Sequence, residues 1–363
     1  MDKNNYCIIM AGGVGSRFWP MSRISRPKQF IDILGTGETL LQQTVRRFND
    51  ICPPENVFIV TNEMYRDLIK EQIPDMQERQ ILCEPARRNT APAIAFAAYK
   101  IATENKDAKL VVAPSDHVIL KEKEFTHDIK TVLDAASENN WLMTLGIKPS
   151  RPDTGYGYIQ YADDKPYDEE KRIHKVKTFT EKPEPELAKT FIESGDFLWN
   201  SGIFVWSLQS ILEAFEKFLP DIDSLFREGM DKFNTPEEKT FINETFSRCK
   251  SISIDYGVME KADNVYVIAS DFGWSDLGTW GSLYDIRKKD NNGNAIIGKN
   301  VLTYDTQNCI VDTSGEKVVV LQGLEDYVVV ENDKALLVIR KEEEQQIRQI
   351  VNDVKMEKGE EFI

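Results

Sequence analysis

Three glycines and four cations crowd one short stretch near the start of the chain: Gly12, Gly13 and Gly15, followed by Arg17, Arg23, Arg26 and Lys28, within AGGVGSRFWPMSRISRPKQF. Glycine lacks a Cβ, so a turn built this way lets backbone N–H groups come close to an anion. Arg17 can fork onto phosphate oxygens, and Lys28 supplies a point charge. Two familiar phosphate patterns fail here. A dinucleotide motif G-x-G-x-x-G begun at Gly13 meets Phe18 at its third glycine, and no Gly-Lys-Ser/Thr follows at P-loop spacing. The stretch therefore reads as a phosphate-binding loop of another kind, with Arg23 and Arg26 either in the site or on the surface.

The rest of the chain sharpens the contrast. A formal net charge of −15 over 363 residues argues against broad nucleic-acid binding, which needs a basic footprint. A local cation cluster in an acidic protein suits a small, highly charged anion. Cys7, Cys52, Cys83, Cys249 and Cys309 are scattered, and with three histidines they form no zinc pattern. They read as reduced thiols. No apolar run approaches the ~20 residues of a membrane span, and the N-terminal apolar stretch is too short for a signal peptide. The expectation is a cytoplasmic protein that engages neither membrane nor nucleic acid.

The elements that must position the loop alternate in the first half. YCIIMA, NVFIVT, KLVVAPSD and WLMTLGI read as buried strands, and TLLQQTVRRFND, EMYRDLIKEQI, APAIAFAAYKIA and EFTHDIKTVLDAASEN as helices. That alternation implies right-handed βαβ units in a mostly parallel sheet, with ligands beyond the carboxyl ends of the strands. The glycine loop and APSDH both fall at that edge. From about Arg151, GYGYIQYA, IHKVKTFTEKP and LWNSGIFVW read as longer strands of a second lobe or sheet, interrupted by helices near residues 184–193 and 208–218. The turn-rich KKDNNGN marks a boundary. Short strands and a charged terminal helix, EEEQQIRQIVNDV, follow it, with repeats too irregular to read as an array.

GGVGSRFWPMSRISRPKQF is similar to the signature of the sugar-nucleotide pyrophosphorylases. EPARRNTAPAIA, APSDH, GYGYI, FTEKP, WNSGIF, SIDYGVMEK and GWSDLGTW follow in the order found in the mannose-1-phosphate guanylyltransferases, the GDP-mannose pyrophosphorylases. The resemblance runs from Gly12 to Trp280. It implies an α/β fold: a nucleotidyltransferase domain over 1–288 with a Rossmann-like mixed, mostly parallel sheet, and over 289–363 a small β-rich domain, left-handed β-helix-like and ending in a helix. It implies the reaction of GTP with α-D-mannose 1-phosphate to GDP-mannose and diphosphate, by in-line nucleotidyl transfer. Such chemistry rests on charge neutralisation and positioning rather than on a covalent nucleophile.

The resemblance also assigns roles. Arg17, Lys28 and Lys182 would neutralise reacting phosphates, Lys182 that of the sugar. Gly12, Gly13, Gly15, Glu84, Arg88, Asn89 and Thr90 would receive the nucleotide, although Asn89 or Thr90 could equally cap the next helix. Arg87 stands where many relatives have glycine. Tyr156 and Gly157 would approach the pyranose, with Glu181 and Asn200 binding its hydroxyls; Tyr158 reads as packing. Asp116 and Asp276 match a metal-binding pair for magnesium, with manganese as the alternative, while His117 reads as a neighbour. Asp255 is open between substrate contact and helix cap. A homodimer is implied. Because the sequence stops at Ile363, no isomerase activity is expected. Two competing readings are the same chemistry on another nucleotide and hexose phosphate, and a non-catalytic sensor; the latter would be expected to lose Arg17, Lys28, Asp116, Lys182 and Asp276.

Overall fold

The computed structural model describes residues 1–162, 172–313 and 315–363. The chain forms two compact units, each assembled from separate stretches. The first comprises Met1–Gly12, Thr44–Ser115 and Ile119–Trp274; the second comprises Gly13–Gln43, Asp116–Val118 and Ser275–Ile363.

In the first unit, β1 (Asn5–Met10), β2 (Val57–Asn62), β3 (Ile81–Glu84) and β4 (Lys109–Pro114) are short, Val- and Ile-rich and buried. Leaving aside a two-residue strand, β5 (Val118–Ile119), they continue as β6 (Leu142–Ile147), β7 (Gly157–Tyr161), β8 (Ile173–Glu181), β9 (Phe197–Ser207) and β10 (Val265–Ser270). The nine sheet strands lie in the order β3-β2-β1-β4-β9-β6-β10-β8-β7, and β7 also pairs with β9. Only β8 and β9 run against the others. The sheet is mixed, as expected. The longer strands after Arg151 join this same sheet instead of a separate lobe, because β9 inserts between β4 and β6 and buries most of its residues there.

Helices α1 (Leu40–Arg47), α2 (Arg66–Gln72), α3 (Thr90–Glu104) and α4 (Glu122–Glu138) occupy the expected stretches, as do α5 (Pro185–Ser194) and α6 (Leu208–Phe218). Helix α3 is buried over residues 91–102, almost all round. Its alanines let it pack close to Ile8, Phe58, Leu110 and Val112 of the sheet. On its other side lies an aromatic cluster in which Phe96 stacks on Phe226 and Phe233, supplied by α7 (Pro220–Arg227) and the turn before α8 (Glu238–Arg248).

The second unit contains the glycine–cation stretch, α9 (Trp280–Ile286), a coil of short strands and α10 (Ile347–Lys358). After β11 (Trp274–Ser275), the coil strands are β12 (Ala295–Ile297), β13 (Val301–Tyr304), β14 (Ile310–Thr313), β15 (Val319–Gln322), β16 (Tyr327–Glu331) and β17 (Leu336–Arg340). Parallel pairing of β12 with β14 and β14 with β16 builds one face, and β13 with β15 another. A bridge between Gln307 and Glu325 marks a third. Val301↔Val319, Gln307↔Glu325 and Ile310↔Val328 are each 18 residues apart, so the chain coils with a fixed period here. This is the β-helix-like architecture. One apolar cluster joins Phe18, Trp19 and Ile33 of the glycine–cation stretch to Leu277, Trp280, Ile310, Val328, Val330 and Ile339.

Candidate active site

In the second unit Lys28 is the organising cation. Its ammonium is buried and lies 2.9 Å from Asp116 Oδ2, while donating to the carbonyls of Asp276 (2.8 Å) and Leu277 (2.9 Å). Leu277 holds φ at +44°, an uncommon backbone state for a branched residue, and the carbonyls on both sides of its Cα meet the ammonium. Burial alone would raise the Asp116 carboxyl, but the charge of Lys28, aided by His117, holds it below the ordinary range. Asp276 accepts from the Gly278 N–H through Oδ1 at 2.9 Å.

The glycine turn closes over this lysine. Gly15 sits at φ +64°, and a Cβ there would lie 2.7 Å from the Lys28 Cβ. A Cβ on Gly13 would meet nothing within 4 Å, and the Gly13 carbonyl is held by Gln29 Nε2 at 2.8 Å. Arg17 is half-buried and makes no hydrogen bond or ion pair among the described residues. Arg23 is engaged with Asp333 at 2.8 Å and Arg26 donates to the Phe30 carbonyl, so both serve the local fold. Of the four cations, Arg17 is the one with its donors uncommitted among the described residues.

In the first unit the segment expected to receive the nucleotide, Glu84 to Thr90, ends β3 and opens α3. Glu84 is buried, and its Oε1 has no hydrogen-bond partner among the described residues. Burial pushes its carboxyl up to about 8, against the pull of Arg87. A Cβ on Gly12 would sit 3.3 Å from Glu84 Oε2, so glycine leaves room for that carboxyl. Asn89 holds φ +67° and caps α3 through the Thr90 N–H. Arg88 is turned away: its guanidinium donates to the Phe246 and Ser247 carbonyls at the end of α8. Thr90 Oγ1 accepts from the Ile254 N–H at 2.9 Å.

The segments expected to receive the sugar phosphate meet where β7, β8 and β9 adjoin. Gly157 faces Glu181: a Cβ there would lie 2.4 Å from Glu181 Oε2 and 3.4 Å from the Asn200 Cβ. Asn200 donates to Asp255 Oδ1 at 2.9 Å. Lys182, exposed and at φ +48°, pairs with Glu181. Tyr156 packs edge-on against Trp199 and Trp274, with Arg151 over the Tyr156 and Trp199 rings. Tyr158 is buried, its hydroxyl donating to the Asp153 carbonyl. Arg151, Trp199 and Trp274 were not singled out by sequence reasoning; WNSGIF and GWSDLG contain both tryptophans, but nothing in the string shows that both rings meet Tyr156.

Residues 6–293 match the model of the family described as nucleotidyl transferase, and residues 299–354 match the MannoseP isomerase/GMP-like β-helix domain. The chain belongs to the nucleotidyl transferase family. An alginate biosynthesis protein AlgA from Pseudomonas aeruginosa is 38% identical over 96% of this chain and 71% of its own length. A mannose-1-phosphate guanylyltransferase from Escherichia coli is 36% identical over 95% of this chain and 74% of its own. A crystal structure from Thermus thermophilus, described as mannose-1-phosphate geranyltransferase, superposes with a TM-score of 0.87 at 30% identity, covering 97% of this chain and 99% of that one.

For a nucleotidyl transferase the donor set around Lys28 is chemically apt for a hard divalent ion. Asp116 supplies a carboxylate at the ammonium, Asp276 supplies a backbone carbonyl there and a carboxylate that accepts from the Gly278 N–H, and among the described residues no group of three or more His, Cys, Asp or Glu side chains gathers to cage a metal. A magnesium-sized ion bound by one or two carboxylates completes its shell with water and substrate phosphates. Among the described residues no helix is long and apolar enough to cross a membrane.

Proposed function

We propose that this chain converts GTP and α-D-mannose 1-phosphate to GDP-mannose and diphosphate, as an enzyme of the cytoplasm acting as a homodimer. Its modules are the catalytic domain over 1–288 and the β-helix-like domain over 289–363. The observation that carries the substrate assignment is likeness across 95% of the chain to a protein named for that reaction. The glycine–cation loop supports the chemistry. A phosphate oxygen of the sugar phosphate bonds to the α-phosphorus as its bond to the bridging oxygen breaks, and diphosphate leaves with the electron pair.

Members of this family generally use a divalent metal. We assign magnesium, with manganese as the alternative, to Asp116 and Asp276; when bound it neutralises charge on the phosphates of both substrates. Arg17 brings an uncommitted guanidinium to the triphosphate, which Gly12, Gly13 and Gly15 approach through the backbone. Lys28 holds Asp116 ionised and fixes the Asp276 turn as well as adding positive charge. Glu84 offers the base a carboxyl whose Oε1 has no hydrogen-bond partner among the described residues, where guanine presents adjacent N–H donors. Thr90 and Asn89 fix the start of α3 beside it, with Arg88 bracing that start against α8. Glu181 and Asn200 read hydroxyls of the sugar, Tyr156 and Gly157 lie against its ring, and Lys182 meets its phosphate. A pocket committed to one hydroxyl orientation rejects the epimer strongly.

The test is diphosphate release by the purified chain with magnesium, offering each nucleoside triphosphate with mannose 1-phosphate or glucose 1-phosphate. Release is expected chiefly from GTP with mannose 1-phosphate. Faster release from another pair would overturn the substrate assignment, and none from any pair would overturn the activity.

A further inference from the structure

One acidic group in the sugar-phosphate segment has no role in the proposed reaction. Asp255 opens a π-helical turn, Asp255–Met259, a local geometry frequent at functional sites. It is half-buried, and its Oδ1 accepts from Asn200 Nδ2 at 2.9 Å. The other end of the Asn200 amide is equally constrained. Its Oδ1 accepts from the Gly202 backbone N–H at 3.1 Å and lies 3.2 Å from the Thr144 hydroxyl. A backbone N–H can only donate and a carboxylate can only accept, so the two partners fix the same amide orientation from opposite ends. One Asn200 N–H then remains for a ligand. Without Asp255, nothing else among these contacts holds the nitrogen end.

The segment carrying Asp255 is tied at its other end to the start of α3. Ile252 N–H donates to the Arg88 carbonyl at 3.2 Å, Ala91 N–H donates to the Ile252 carbonyl at 3.1 Å, and Ile254 N–H donates to Thr90 Oγ1 at 2.9 Å. Residues 252–255 therefore run as a strap from the purine segment to Asn200.

We propose that Asp255 is a positioning residue for the sugar phosphate: it aims the Asn200 amide at a sugar hydroxyl and, through residues 252–254, sets that aim relative to the nucleotide segment. The proposal rests on the reading of Asn200 as a sugar-binding residue. Asp255 itself makes no contact with the reacting atoms. The charged groups that act on Asp255 are Glu181, the last residue of β8, and Lys182 just after it. Burial first, and repulsion from Glu181 second, push its carboxyl up to about 6, so the charge that strengthens its hydrogen bond to Asn200 is lost as pH falls through about 6.

Steady-state kinetics of wild type, Asp255→Ala and Asp255→Asn test this, with GTP and mannose 1-phosphate varied separately. Asp255→Ala is expected to raise the KM for the sugar phosphate about 10-fold or more, the usual effect of losing a charge-assisted hydrogen bond, while the KM for GTP moves less than about 3-fold. Asp255→Asn keeps an acceptor oxygen and should restore most of the affinity at pH ~7.5. The ratio of wild-type to Asp255→Asn kcat/KM for the sugar phosphate should fall as pH drops through about 6. The phosphate of the ligand titrates identically against both proteins, so the ratio isolates Asp255. An unchanged sugar-phosphate KM in folded Asp255→Ala would overturn the proposal. If that variant does not fold, a flat ratio for Asp255→Asn overturns it instead. Wild-type protein that releases no diphosphate from GTP and mannose 1-phosphate defeats the functional reading itself, a result distinguishable from either outcome.

Discussion

Glu84 is a buried acid whose Oε1 lacks a partner among the described residues and whose carboxyl titrates near 8. At neutral pH it is mostly protonated, whereas the proposed pose sets its carboxylate against adjacent guanine N–H groups. On that proposal, GTP binding draws its pKa down and releases close to one proton at about pH 7. Isothermal titration of GTP in two buffers of different ionisation enthalpy measures that proton. Glu84→Gln should abolish its share and weaken binding about 10- to 100-fold. Equal proton release from the two proteins would remove Glu84 from the base site. The same shift has a stability consequence. The acid is raised from 4.5, so the folded chain binds more protons than the unfolded one, and stability falls as pH rises from about 4.5 through 8. At this scale the sequence revealed residue types but not commitments. Arg17, Arg23, Arg26 and Lys28 look alike in a string. Only pairing with Asp333, Phe30 and Asp116 shows that three of them are engaged, while Arg17 has no such partner among the described residues.

At the scale of elements, the glycine turn was legible because phosphate binding and glycine's lack of a Cβ go together. The reason for each glycine was not. Gly15 is needed by the fold: its φ of +64° disfavours any side chain, and a Cβ would collide with Lys28. Gly13 has open space around it, so a methyl group meets nothing until a ligand arrives. Gly13→Ala should thus keep its unfolding midpoint, within about 0.5 kcal/mol, while its KM for GTP rises several-fold. Gly15→Ala should lose roughly 1–3 kcal/mol of stability along with activity. Denaturant titration beside steady-state kinetics separates the two, and a Gly13→Ala enzyme with unaltered GTP kinetics would take the phosphates away from that backbone. The sheet shows the same division. Alternating βα units were readable from apolar runs, but the reversal of β9 between β4 and β6 was not, since periodicity carries no direction. The resemblance implied the β-helix-like coil, but the residues alone did not show its repeat. Its pairing is offset by 18 residues from β13 onward but by 15 between β12 and β14, and CIVD and YVVV share little beyond their apolar residues.

At the scale of the molecule, the second unit unites stretches separated by more than two hundred residues. Phe18, Trp19 and Ile33 share an apolar cluster with Val328, Val330, Leu337 and Ile339 of the coil. Trp19 Nε1 donates to the Phe362 carbonyl at 2.7 Å, and Asn332 donates to the Pro20 carbonyl. The resemblance that identified the loop stopped at Trp280, so a dependence of the loop on residues beyond it was invisible there. Strand β16 permits a clean test, because its side chains alternate between two clusters. Val330 belongs with Phe18 and Trp19; Val329 lies in the coil interior with Cys309 and Val311. Both are buried valines on one strand. Val329→Ala and Val330→Ala should each lose about 1–3 kcal/mol by cavity formation. Only Val330→Ala opens its cavity in the cluster that seats the glycine–cation stretch. Its KM for GTP should therefore rise several-fold while that of Val329→Ala stays near wild type. Matching GTP kinetics in two variants of matching stability would show that the coil supports the fold without tuning the loop.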